Sequence, residues 1–238
     1  MKNICKIHPL TYLTALIFIC LGYFKFYLSF MLILIIHELG HITFALIFKW
    51  HIKKLICLPM GLLLQFEDNL NKPLKEEFVI SIMGIVFQII FVSIIHNEIF
   101  NFCSSIILIF NILPIYPLDG SKIVNIILNK ITNFKTSYFL TLIFSYIFII
   151  VLFFISFTKQ YLLLLISLIP LLVNLFDLIV NRNQVFIKFL LERYLYDFKF
   201  KKIKYIKNAS QMKRDYYHLF VDSGVVEEKL YLRNLFKN

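Results

Sequence analysis

The sequence predicts an all-α polytopic membrane protein of about six transmembrane helices, followed by a short cytoplasmic tail. Three observations carry this. Hydrophobic residues make up 60% of the 238-residue chain and charged residues only 16%, against roughly 25% charged in soluble domains. The apolar residues fall in long runs, and a run of about 20 is what a helix needs to cross a bilayer core. The basic residues gather between alternate runs.

The runs divide into six candidate spans, at about Leu10–Phe24, Phe26–Phe48, Phe78–Ile95, Cys103–Leu128, Ser137–Phe157 and Tyr161–Val180. Lys2 and Lys6 precede the first, but no small-residue cleavage site follows it, so it reads as a retained helix and not a signal peptide. Only Lys25 separates the first two spans, which calls for a tight turn there. Pro114, Pro117 and Gly120 interrupt the fourth. Helix breakers at membrane depth are tolerated where the freed backbone groups find polar partners, so this break marks a protein-enclosed site. With an even span count both termini share one side, which collects 23 of the 25 Lys and Arg residues and leaves Lys25 and Lys159 opposite. By the positive-inside rule both termini are cytoplasmic.

Residues 1–181 thus read as a membrane domain and 182–238 as a basic, Tyr-rich tail. The net charge of +11 reads as topology and contact with an anionic lipid bilayer, and not as nucleic-acid binding. Asn208-Ala209-Ser210 looks like a helix start before Gln211–Phe220. Cys5, Cys20, Cys57 and Cys103 form no C-x-x-C pair and read as isolated thiols. The bias toward Phe, Ile, Leu, Lys and Asn suggests a low-GC bacterial source, hence a bacterial cell membrane.

The second span contains His37-Glu38-Leu39-Gly40-His41. Residues four apart share a helix face, so His37 and His41 can reach one metal ion with Glu38 beside it. Zinc accepts imidazole nitrogen, and catalytic sites use three protein ligands and a water. A neighbouring carboxylate can take the proton of that water. A charged residue at bilayer depth costs about 2.5–3.5 kcal/mol on insertion scales, so Glu38 between two histidines needs a use. Two carboxylates could complete the ligand set. Asp177 lies near Asn181-Arg182 and reads more simply as an interfacial carboxylate. Asp119 follows the two prolines and could open the next helical piece, where an anion is favoured; it could also simply cap a broken helix.

Together, H-E-L-G-H in one span and Asn111-x-x-Pro114-x-x-Pro117-Leu118-Asp119-Gly120 in a later one resemble the site-2 protease family of intramembrane zinc metalloproteases. Within it, the layout is most similar to the stage IV sporulation protein FB group of spore-forming bacteria. The resemblance implies one zinc per chain held by His37, His41 and Asp119, Glu38 as general base, and Asn111 holding the substrate or the oxyanion. It implies a membrane-tethered protein substrate, such as a sigma-factor precursor, and admits membrane inhibitor or regulator proteins as partners. A housekeeping role on anti-sigma factors or signal-peptide remnants fits the same chemistry. Leu55–Gly61 matches the family's membrane-associated hairpin, and Ser81-Ile-Met-Gly84 its small-residue helix, with Gly84-Ile85 where a Gly-Pro pair is common. The sporulation group often ends in a nucleotide-binding CBS domain; forty residues from Lys199 are too few for a complete one, so a truncated CBS-like remnant is expected.

Two other classes share parts of the pattern. A CAAX-type protease would place a Glu in a later span, whereas Glu98 and Glu192 lie in a loop and the tail. A metal transporter or a non-cleaving adaptor could use the same site, but a transporter would usually need polar groups through several spans, and the last two offer little beyond Ser, Thr and Asn.

Overall fold

A computed structural model describes all residues except 1–4, 8, 59–60, 68–69, 160–161, 222–223 and 238. Lys2, the hairpin residues Pro59 and Met60, and Tyr161 therefore lie outside the described residues. The chain forms two compact units, Met1–Asn69 with Phe78–Asn111, and Leu70–Glu77 with Ile112–Asn238.

In the first unit, α1 (Pro9–Cys20) and α2 (Phe24–Ile47) are joined by a turn at Leu21–Tyr23. The turn lies earlier than expected: Lys25 is inside α2, and the reversal uses Gly22 at φ +78°, a conformation that L side chains rarely adopt. A sheet follows, of order β1-β2-β3, built from β1 (Cys5–Ile7), β2 (Ile52–Leu58) and β3 (Gly61–Phe66). β1 runs parallel to β2, and β2 and β3 form an antiparallel hairpin with a register shift between Ile52 and Lys54. Helix α3 (Leu74–Ile94) starts in the second unit and continues in the first, followed by α4 (Glu98–Ile112). Ile33, Leu34 and Ile36 of α2 pack with Phe100, Cys103 and Ile107 of α4.

In the second unit, α5 (Asp119–Ile131), α6 (Phe134–Thr158) and α7 (Leu162–Val180) follow. The expected fourth span is divided between α4 and α5 at Leu113–Leu118. Its freed backbone groups find partners on α6, as the prolines predicted: the Tyr116 N–H donates to Ser145 Oγ at 3.0 Å, and Ser145 Oγ lies 3.2 Å from the Pro114 carbonyl. Ile115 is fully buried with Leu142, Ile149 and Leu175.

Among the described residues, three helices, α2, α3 and α6, are long and apolar enough to cross a membrane by length and composition. The 12 residues of α1 and the 15 of α4 fall short of the roughly 20 that a span needs. Apolar side chains point outward along all three long helices, including Leu46, Ile94, Phe154 and Phe157, as expected of surfaces solvated by lipid.

The all-α expectation needs correction, because the described residues include two three-stranded sheets. The second sheet lies in the tail, where α8 (Arg182–Leu195) leads to β4 (Lys202–Ile206), β5 (Tyr216–Val221), β6 (Val225–Glu227) and α9 (Glu228–Lys237). The helix expected over Gln211–Phe220 is not formed. A single 3-10 turn, Ala209–Gln211, gives way to β5, whose alternation buries His218 and Phe220 and leaves Tyr217 and Leu219 only partly covered.

A further core joins the tail to α6. Phe189, Leu190, Ile206, Met212, Phe220 and Leu232 pack together and include Phe134 of α6, which stacks on Phe189 with ring centroids 4.0 Å apart. A buried polar network runs beneath. Arg193 donates to Glu228 at 2.9 Å, to Asn71 Oδ1 at 2.7 Å and to the Lys213 carbonyl at 2.8 Å. His218 Nε2 accepts the Lys213 N–H, so Nδ1 carries the ring proton and donates to Glu228 at 3.1 Å. Burial pushes the His218 imidazolium below its ordinary pKa. Burial alone would raise the Glu228 carboxyl, but the His218 hydrogen bond and the Arg193 charge outweigh it and hold the group below the usual carboxylate range. Arg214 reaches Glu77 and the Lys72 carbonyl, and Asp215 accepts the Leu74 N–H, so the tail clasps the Leu70–Glu77 segment at several points.

Candidate active site

Helix α2 buries His37 and His41, 2% and 4% exposed, one turn apart. Their Nε2 atoms lie 3.1 Å from each other. Both Nδ1 atoms face away and are held. His41 Nδ1 sits 2.7 Å from the Ile80 carbonyl, which can only accept, so this nitrogen carries the proton. His37 Nδ1 sits 3.1 Å from Gln88 Oε1. The Gln88 amide nitrogen donates to the Ser104 carbonyl at 2.7 Å and is 2.8 Å from Ser104 Oγ, which fixes the amide orientation and leaves Oε1 as the acceptor from His37. Both imidazoles are thereby set as Nδ1–H tautomers with their Nε2 lone pairs converging.

The donor set fits zinc. Two ligands on a tetrahedral zinc with bonds of about 2.0–2.1 Å lie roughly 3.3 Å apart, close to the spacing found. His37, Glu38 and His41 offer ligand atoms within 4.8 Å of one another, with Glu38 half-buried. Gly84 of α3 keeps the space beside them open: a Cβ there would come within 3.0 Å of both Nε2 atoms.

The remaining expected residues lie further along the chain. Asn111 is half-buried in the last turn of α4. Asp119 is in the second unit, where it is the first residue of α5, buried, and within 2.7 Å of Lys122 Nζ. The position just before the helix belongs to Leu118, without a side-chain cap. Asp177 resides in the last turn of α7.

Sequence reasoning missed Gln88, Ser104 and the Ile80 carbonyl as supports of the histidines. Gln88 carried a signal, because it is a lone amide within the apolar run Phe78–Ile95 and a polar group at that depth needs a partner. The Ile80 carbonyl carried none.

The fold resembles the site-2 protease from Methanocaldococcus jannaschii, with a TM-score of 0.56 over 72% of this chain and 88% of that one, at 18% identity. Over 205 residues the chain is 35% identical to stage IV sporulation protein FB of Bacillus subtilis (strain 168), a match covering 79% of this chain and 70% of that protein. The chain belongs to the site-2 protease family. No family model matches it. As a site-2 protease family member it is an intramembrane metalloprotease with a membrane-bound protein substrate, and the His37–Glu38–His41 cluster on α2 is the feature of its described residues suited to that chemistry.

Proposed function

We propose that this chain is a zinc metalloendopeptidase that hydrolyses a membrane-tethered regulatory proprotein near the cytoplasmic face of the bilayer. The observation that carries the proposal is the pair of imidazoles locked as Nδ1–H tautomers, their Nε2 atoms 3.1 Å apart beside a half-buried carboxylate. His37 and His41 would hold the zinc with Asp119 as third ligand. When bound, zinc would polarise the scissile carbonyl and make water a competent nucleophile near neutral pH. Glu38 takes a proton from the attacking water and passes it to the departing amine nitrogen. The Asn111 amide donates a hydrogen bond to the substrate carbonyl oxygen as charge builds on it. Strand β3, at the edge of the β1-β2-β3 sheet, offers its free side to an unwound substrate segment, because an extended peptide can satisfy its backbone by adding to a sheet.

His41 lies seven residues before Phe48 in the chain, about 10 Å of helix, which favours substrates lying at the membrane surface. The 23-to-2 division of basic residues supports six spans with both termini cytoplasmic, and residues 182–238 as a cytoplasmic tail. The similarity to a stage IV sporulation protein supports a sporulation sigma-factor precursor as substrate. The test is to delete the gene and follow spore formation together with processing of the sigma precursor. Loss of both, restored by the wild-type gene and not by Glu38→Gln, is the expected result. Normal spores with a processed precursor would reject this substrate and favour a housekeeping role.

A further inference from the structure

A second site lies in the second unit, where α6 begins and α7 gives way to α8. Phe134, Lys135, Tyr138, Phe139, Arg182 and Phe186 line a cavity of about 320 Å³. The two cations are held reciprocally. Lys135 of α6 lies over the Phe186 ring of α8, its Nζ 5.5 Å from the centroid, and Arg182 of α8 lies over the Phe139 ring of α6 at 5.3 Å. Each ring thus supports the charge brought by the other helix, an arrangement that places two exposed cations on one cavity. Neither cation has a carboxylate partner among the described residues. Two cations on one cavity make a site for an anion with several acceptor oxygens, of which a phosphate is the common case.

We propose that this cavity binds the phosphate headgroup of an anionic phospholipid. The position selects a lipid over a soluble phosphate. Residues 134–139 form the first turns of α6, a helix long and apolar enough to span a bilayer, so the cavity lies at the level where hydrocarbon ends. Helix α8 adds a second indication. While Phe189, Leu190 and Arg193 are buried in the tail core, Ile187, Leu191 and Leu195 are exposed at four-residue spacing and make an apolar stripe on another face. A helix with one face in a packed core and an apolar stripe outward fits an element lying in the membrane interface. The lipid would thus secure the start of the tail, whose core includes Phe134 and Phe189, to the membrane surface. The inference rests on α6 crossing the membrane and not on the protease reading.

The experiment uses full-length protein in neutral detergent, titrated with phosphatidylglycerol and separately with phosphatidylcholine, with bound lipid counted by native mass spectrometry. One saturable phosphatidylglycerol per chain is expected. The Lys135→Gln/Arg182→Gln variant should weaken it about 30-fold, taking each interfacial cation at the usual magnitude. Lys201→Gln/Lys207→Gln removes the same charge outside the cavity and should leave binding unchanged. Equal loss in the two double variants would show diffuse attraction and overturn the site. Equal binding of phosphatidylcholine would overturn it too. Displacement of the lipid by millimolar inorganic phosphate would assign the cavity to a soluble anion and overturn the lipid assignment.

Discussion

Replacing Gln88 by Leu removes three interactions at once from a side chain only 1% exposed. The His37 Nδ1–H loses its acceptor at 3.1 Å, and the Ser104 carbonyl and hydroxyl lose a donor at 2.7 and 2.8 Å. Each buried polar group left without a partner costs about 1–3 kcal/mol. The effect on metal binding is separate. Without an acceptor at Nδ1 the His37 ring is free to rotate or to place its proton on Nε2, the nitrogen that faces His41. Losing an outer partner of a ligating histidine lowers metal affinity roughly 10- to 100-fold. Gln88→Glu keeps an acceptor for His37 but sets a carboxylate oxygen against the Ser104 carbonyl. It should therefore lose stability while holding zinc better than the Leu variant. Competition with a chromophoric chelator in detergent gives the affinities, and thermal unfolding of the same samples gives the stabilities. A folded Gln88→Leu protein that binds zinc as tightly as wild type would refute the argument that Gln88 sets the ligand geometry.

Asp119→Ala should leave the helices intact and abolish stoichiometric zinc, measured by metal analysis of the purified protein; full occupancy would remove Asp119 from the ligand set. Acid should loosen the tail in two stages. The folded-state pKa of His218 lies below its ordinary 6.5, so the unfolded chain takes up a proton that the folded one refuses, and stability falls as pH drops through about that value. Glu228 is likewise held below its ordinary 4.5, so its contribution is present above that pH and is lost below it. Limited proteolysis of the tail at pH 7.5, 5.5 and 4 should show progressively faster cleavage, and a flat profile would count against the buried network. Reporter fusions after Asn97 and after residue 238 should report outside and cytoplasm respectively; an external reporter at the C-terminus would mean that the span count is wrong.

The His37–Glu38–His41 cluster was more legible than the architecture, for physical reasons. His37, Glu38 and His41 are neighbours on one helix turn, so their convergence follows from local periodicity, and α2 brings them together as expected. The prolines at 114 and 117 announced a helix break, and the break is there with Ser145 satisfying its backbone. Gln88 meets His37 across 51 residues of chain, and no local pattern encodes which helices cross there. Strands β2 and β3 were not legible from pattern alone, because a short apolar run such as Leu55–Leu58 reads equally as a helix turn or a buried strand. The tail misled differently: Asn208-Ala209-Ser210 has the residues of a helix start, but the segment pairs as a strand, with burial alternating from Tyr217 to Phe220. Helix length does not mark the expected first and fourth spans, because Gly22 and Pro114 end α1 and α4 after 12 and 15 residues.

The central claim is that Glu38 acts as the base of a zinc-dependent peptidase. The most direct test compares wild type and Glu38→Gln in the native host by labelling new protein N-termini in the membrane fraction, with zinc measured on both purified proteins. Glu38→Gln should keep about one zinc per chain, and a discrete set of N-termini within or beside membrane segments should fall on the order of 10²–10⁴-fold. An unchanged set of N-termini at equal expression and zinc content would contradict the account.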